Sequence, residues 1–309
     1  MYLVTFHLQT SDRTGSDHRR ARLGVTERPG GPILDVAEAA RSAPANLATG
    51  VPQSVLELLD GGDEAWHTLQ QLYGHSLGRP EVWRREEEVR LLAPIPRPRK
   101  NIYAIGLNYR AHNEEFTGGA PPPEFPIVFT KGAGSVIGPG DAIESHPHVT
   151  QEVDYEAELA VVIGRRGRDI AREQAADYIF GYTIINDVTA RDLQRRTSQW
   201  FLGKSLDTFC PMGPYLAHRS VVGWPVELDI ASYVNGELRQ SSNTRLMIFD
   251  IATLIATLSR GMTLEPGDII ATGTCQGVGM GFNPPRYLRP GDVVEVSIEK
   301  LGTLRNPVV

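Results

Sequence analysis

The stretch QEVDYEAELAVVIG, residues 151–164, limits what this chain can become more than any other. Read as a β-strand, it places Tyr155, Ala157, Leu159, Val161 and Ile163 on one side and Glu156, Glu158, Ala160 and Val162 on the other. Its C-terminal end is apolar on both sides, the pattern of a strand that lies inside a protein. Yet it begins with two carboxylates side by side. A fold built around it must cover both faces and hold the two charges.

The chain beyond Lys100 supplies that cover. NIYAIGL, PIVFTKG, ELAVVIG, DYIFGYTIIND, VELDIASYVNGELRQ, DIIATGT and DVVEVSIEKLGTLRN are short, rich in β-branched or aromatic residues, and bounded by Gly or Pro. Asn235-Gly236 marks a hairpin. Pro-Gly-Asp recurs at 139–141, 266–268 and 290–292, each time before an apolar segment, which suits a type II turn. One helix is expected within NTRLMIFDIATLIATLSRGMTL, capped by Asn243 or Thr244, striped by Ile248, Ile251, Leu254, Ile255 and Leu258, and ended by Gly261. Strands do not alternate regularly with helices, so a doubly wound parallel sheet is disfavoured. The expected class is mainly β with a few helices, an α+β protein.

Residues 1–92 read differently, as a small N-terminal α+β domain. YLVTFHLQT and ARLGVTE are short strands joined by the polar SDRTGSDHRR, and VPQSVLELLDGGDEAWHTLQQLYGH reads as two helices broken at Gly61-Gly62. The proline-rich LLAPIPRPRK is an extended connector, so a second, catalytic domain is placed at 98–309.

Composition narrows the partners. The net charge is −6, and there is no run of basic residues, which argues against a nucleic-acid partner and for a small molecule. Two cysteines, Cys210 and Cys275, do not make a disulfide framework. There is no signal-peptide pattern and no apolar run of about 20 residues, so a cytoplasmic protein without a membrane partner is expected.

Glu156 and Glu158 alone fit a solvated strand start as well as a site. Asp187 shifts the balance, because YTIINDVTARDLQ is apolar up to this residue and then turns polar, putting a third acid at the end of a buried strand. Burying carboxylates costs several kcal/mol unless they find partners, and a hard divalent cation is a common one. An all-oxygen set fits Mg²⁺ or Mn²⁺ better than zinc, since no His or Cys belongs to it. His112 and Glu115 are spaced to share one face of a helical turn, where the carboxylate holds the imidazole as a general base; the same spacing also describes an ordinary surface turn. Lys204, in WFLGKSLDTFCPMGPYL, suits an anionic substrate group or a lysine that merely snorkels.

These segments together resemble the fumarylacetoacetate hydrolase family. The likeness runs through Asn108, Tyr109, His112 and Glu115, then DYEAELAVVIG, GYTIINDVTARDLQ, GKSLDTFCPMGP, VNGELRQ and GDIIATGT followed by GVG, in that order over about residues 100–309. The resemblance implies a mixed β-sandwich roll, a homodimer, and one Mg²⁺, Mn²⁺ or Ca²⁺ on Glu156, Glu158 and Asp187. It also implies a catalytic group of His112, Glu115 and Lys204, with Tyr109, Gln194 and Thr274 around a keto-acid substrate and Arg191 and Asp192 in structural support. Where the family commonly reads Thr-Gly-Thr-Pro, this chain has Cys275 after Thr274, which bears on the pocket wall.

The activity expected on this basis is hydrolysis of a C–C bond in a β-diketo acid of the acylpyruvate type. Decarboxylation or keto–enol isomerisation of a related acid, such as oxaloacetate or 2-hydroxyhepta-2,4-diene-1,7-dioate, is the alternative, because an enolate is common to all three. A non-catalytic binding protein has no need of the His112–Glu115 pair.

Overall fold

The computed structural model describes residues 1–9 and 21–309; the polar segment SDRTGSDHRR falls outside them. Among the described residues the chain is mainly β with short helices, as the strand signals led one to expect. One eleven-stranded sheet dominates. In chain order its strands are β1 (Tyr2–Leu8), β2 (Arg22–Thr26), β3 (Ile33–Asp35), β4 (Trp83–Arg84), β5 (Val89–Leu92), β6 (Ile102–Gly106), β7 (Ile127–Lys131), β8 (Ala157–Ile163), β9 (Ile179–Asn186), β10 (Leu216–His218) and β11 (Ile269–Thr274). Across the sheet they run β4, β3, β2, β1, β10, β9, β8, β11, β6, β7, with β5 also on β1.

The two-sided apolar strand lies in the interior of this sheet. All seven residues of β8 are buried. It pairs antiparallel with β9, Leu159 opposite Ile184, and with β11, Val161 opposite Ile270. The β8–β11 ladder shifts register between Glu158 and Ala160, an irregularity of the kind that re-aims side chains beside active sites. β11 in turn pairs parallel with β6, Ile270 opposite Tyr103.

Asp229–Val234, Glu237–Asn243, Val293–Ile298 and Gly302–Pro307 form a separate four-stranded sheet. Its first hairpin turns at Asn235 and Gly236 with φ of 54° and 78°, as a type I′ turn requires. The glycines of the three Pro-Gly-Asp triplets also have positive φ, so these are turns.

In the N-terminal region, Val55–Asp60 and α1 (Gly62–Ser76) are the two helices separated at Gly61-Gly62. β1 hydrogen-bonds to β10, Tyr2 opposite Ala217, so the first strand extends the same sheet. No helix among the described residues is long and apolar enough to cross a membrane.

The expected core helix starts later than its sequence suggests. It spans Ile251–Ser259, its N-cap is Asp250, and Asn243 caps only a short 3₁₀ turn at Thr244–Leu246. Residues 247–249 are drawn out of the helix by Asn108 and Tyr109: Tyr109 bridges Met247, the Ile248 amide donates to the Asn108 carbonyl, and the Phe249 amide donates to Asn108 Oδ1. Tertiary pairing overrides the helical pattern here.

Candidate active site

Strand pairing brings the three acids together. Glu156 lies one residue before β8, Glu158 is its second residue, and Asp187 follows β9. Ala157 opposes Asn186, and the Asp187 amide donates to the Glu156 carbonyl at 2.9 Å. Two strand ends thus meet, and a ligand oxygen from each acid lies within 4.8 Å of the other two. All three residues are buried.

Cations of the chain surround two of them. Lys204 Nζ donates at 2.7 Å to both Glu156 Oε2 and Asp187 Oδ2. Arg191 Nη1 is 2.6 Å from Glu156 Oε1, and Lys131 Nζ is 2.5 Å from Asp187 Oδ1. Burial alone would raise the Glu156 carboxyl, but Lys204, Arg191 and His112 hold it well below the usual carboxylate range. Glu158 has less help, since Lys204 acts on it only through space, without an ion pair among the described residues. Burial, then the charges of Asp187 and Glu156, push its carboxyl far above the ordinary value, and the one hydrogen bond found for it is from the Gly273 amide, at 2.8 Å. An ionised Glu158 therefore wants another cation beside it. A hard divalent ion on the all-oxygen donor set meets that need, so the residues fit the metal that the sequence led one to expect.

The dyad also forms. His112 and Glu115 lie on α2 (Arg110–Thr117), with His112 Nδ1 3.1 Å from Glu115 Oε2. Glu115 is fixed from its other side, where Oε1 accepts the Gly277 amide at 3.0 Å. His112 is buried, and it lines one small cavity together with Glu156, Glu158, Gln194, Lys204 and Thr274. The cavity holds about 10 Å³, room for about one water.

Tyr109 lies apart from the others. It is buried but does not line the cavity, and its hydroxyl has no hydrogen-bond partner among the described residues. Burial, then Cys275 and Glu158, raise that phenol well above its usual range. Gln194 Oε1 accepts from Arg191 Nη1 at 3.1 Å, and Thr274 Oγ1 donates to the Ala157 carbonyl at 2.9 Å while accepting from Gln240 Nε2 at 2.8 Å. Cys275 is fully buried, and burial pushes its thiol up to about 12, so it is inert as a nucleophile.

Several residues matter more than their sequence context suggests. Arg191, read as structural support, lines the cavity and keeps Nη2 buried without a partner among the described residues. Asp154 anchors it at 2.8 Å and also accepts the amides of Gly279 and Met280. Lys131 is fully buried and donates to the carbonyls of Val188 and Lys204. A lysine ending the apolar strand IVFTK is the same signal that singled out Asp187. Trp200, Phe116 and Phe129 complete the cavity wall.

The family profile for fumarylacetoacetate (FAA) hydrolase, C-terminal, matches residues 101–309. The chain is 58% identical over 221 residues to oxaloacetate tautomerase YisK of Bacillus subtilis, covering 72% of this chain and 73% of that one. It is 42% identical over 299 residues to the mitochondrial oxaloacetate tautomerase fahd2 of Xenopus laevis, covering 95% and 88%. Among solved structures, maleylpyruvate hydrolase from Sphingobium sp. SYK-6, in complex with manganese(II) and pyruvate, is 31% identical with a TM-score of 0.74, covering 100% of this chain and 99% of that one. The tautomerase relatives overturn the expectation of C–C hydrolysis. The motifs misled because hydrolysis and tautomerisation draw on the same acids, base and cations; what separates them is whether a water is placed for attack, and no residue type records that. With two thirds of its length matched to the profile and these relatives beside it, the chain belongs to the fumarylacetoacetate hydrolase family and is an enzyme of that family.

Proposed function

We propose that this enzyme catalyses the keto–enol interconversion of oxaloacetate, with Mg²⁺ or Mn²⁺ held by Glu156, Glu158 and Asp187. The observation that carries the reading is a carboxylate-held imidazole facing an acidic, cation-lined cluster across one small cavity, in a chain closely similar to oxaloacetate tautomerases.

Tautomerisation relocates one proton. The C3–H bond breaks, its electron pair forms the C2=C3 double bond, and the C2 oxygen gains the proton as the enol hydroxyl. One group that acts first as base and then as acid closes this balance, because C3 and the C2 oxygen are near neighbours in the substrate. His112 is suited to both roles. With Nδ1–H donated to Glu115, Nε2 is left as the acceptor for the C3 proton. Glu115 balances the resulting imidazolium, which then delivers the proton to oxygen. Lys204 offers positive charge close to that oxygen as it becomes electron-rich, and Arg191 Nη2 offers an N–H to a substrate carboxylate. A bound cation would supply Lewis-acid polarisation of the 2-oxo acid and a template for its orientation.

The test follows the ultraviolet absorbance of freshly dissolved enol oxaloacetate with protein and Mg²⁺. The expected result is faster approach to the keto–enol equilibrium without matching release of carbon dioxide or pyruvate, and a kcat lower by about a hundredfold or more in His112→Ala. Carbon dioxide released as fast as the enol signal decays would replace the reading with decarboxylation.

A further inference from the structure

The two walls of the cavity differ in kind. On one side, Glu156, Lys204 and Arg191 are locked to each other by buried ion pairs. On the other stand three partly exposed aromatic rings. Trp200 is at their centre, 5.2 Å from Phe129 and 6.2 Å from Phe116 between ring centroids. Its indole lies flush on β6, where a Cβ added to Gly106 would come within 2.5 Å of ring carbon Cζ3. Phe129 also carries Lys204 Nζ 4.9 Å above its ring, which ties the aromatic wall to the polar one.

The geometry points to Trp200 as the residue that sets how long a 2-oxo acid this site admits. The inference rests on the proposed function for one thing only, that the 2-oxo-carboxylate end is held by the polar wall. The rest of the substrate then extends toward the indole. The cavity holds only about 10 Å³, so a bound acid has to push back part of this wall, and each further carbon of its chain presses into space that Trp200 fills. Steric exclusion of one methylene from an apolar pocket discriminates by about 10- to 200-fold. Phe116, on α2 one turn after His112, and Phe129, in β7, hold the indole from either side.

Calorimetric titration of the Mg²⁺-loaded protein with pyruvate, 2-oxobutyrate, 2-oxopentanoate and 2-oxohexanoate tests this without relying on turnover. Wild type is expected to lose at least about tenfold in affinity on passing from 2-oxobutyrate to 2-oxohexanoate. Trp200→Ala is expected to abolish or invert that step, and Trp200→Phe, which keeps a ring against Phe129, to give an intermediate ratio even if the alanine variant fails to fold. The inference is overturned if wild type binds 2-oxohexanoate as tightly as 2-oxobutyrate, or if Trp200→Phe retains the full step. The two readings fail separately. A wild type that discriminates by length but does not enolise oxaloacetate overturns only the proposed function, whereas one that enolises oxaloacetate and binds all four acids alike overturns only the role of Trp200.

Discussion

Gly281→Ala isolates what Glu115 contributes. A Cβ at position 281 would lie 1.9 Å from Glu115 Oε1 and 2.3 Å from its Cδ, where real Cβ contacts essentially never fall below 3.0 Å. Gly281 is outside the left-handed region, so alanine is acceptable to the backbone and the perturbation acts through that contact. To clear the methyl, the carboxylate must retreat by about 1 Å or more, which loosens both the Gly277 amide bond at 3.0 Å and the His112 contact at 3.1 Å. A hydrogen bond to a charged group contributes about 1.5–3 kcal/mol, and a base displaced by ~1 Å costs about a hundredfold in rate. We therefore expect kcat for oxaloacetate enolisation to fall roughly ten- to a hundredfold, read by the enol absorbance. Mg²⁺ affinity measured by calorimetry should stay within about twofold, since Glu115 is not among the three clustered acids. Wild-type kcat in this variant would refute the reasoning about the dyad, and a parallel loss of metal binding would move Glu115 into the metal's surroundings.

Other substitutions probe the remaining parts. Glu158→Ala should abolish Mg²⁺-dependent thermal stabilisation, because it removes a proposed ligand whose charge has no cation bonded to it among the described residues; an undiminished shift in Tm at saturating Mg²⁺ would exclude it as a ligand. Asp154→Ala should lower stability by about 1.5–3 kcal/mol in denaturant unfolding, since it takes one of two carboxylates from the buried Arg191 guanidinium and the acceptor from two loop amides; a loss below ~0.5 kcal/mol would show that the pair is not structural. Burial, then Arg219 and the N-terminus, lower His218 from 6.5 to about 4, so the unfolded chain binds more protons between these values and stability is fully present above pH 6.5 and lost as pH falls toward 4. With solvent screening at this partly exposed ring, the slope should stay below ~1 kcal/mol per pH unit, and His218→Asn should flatten it; an unchanged Tm-versus-pH curve in that variant would rule the residue out as the source.

How much could be read in advance depended on how local the cause was. Glu156, Glu158 and Asp187 stood out because each interrupts an apolar strand pattern at its buried end, a signal contained within about ten residues. The hairpin at Asn235-Gly236 was legible for the same reason. Lys131 and Asp154 were not singled out, and Arg191 was read only as structural support, because their meaning lies in partners 57, 37 and 35 residues away in sequence. The start of the Ile251–Ser259 helix was misplaced by a contact with Asn108, which no helical pattern contains. Tyr109 belongs to a recognisable motif, yet the backbone turns its ring into the core instead of the cavity. The reaction itself was the least legible, because the groups that stabilise an enolate leave open what that enolate does next.

The first strand of the sheet raises a problem of timing during synthesis. β1, YLVTFHL, finds β2 within a few seconds of leaving the ribosome, but its other edge waits for β5 and for β10, whose Ala217 pairs with Tyr2. At ribosomal rates of about 5–20 residues per second, that second neighbour arrives on the order of ten to forty seconds later. β5 covers Thr5–Leu8 sooner, but until β10 arrives the buried Tyr2 and Leu3 keep an unpaired apolar edge, the kind that templates association between nascent chains. Yield in a host should therefore depend on holdase chaperones and on translation speed between codons 27 and 216 more than on the final stability of the fold, and a charge placed at Thr5 would trade native packing for safer emergence.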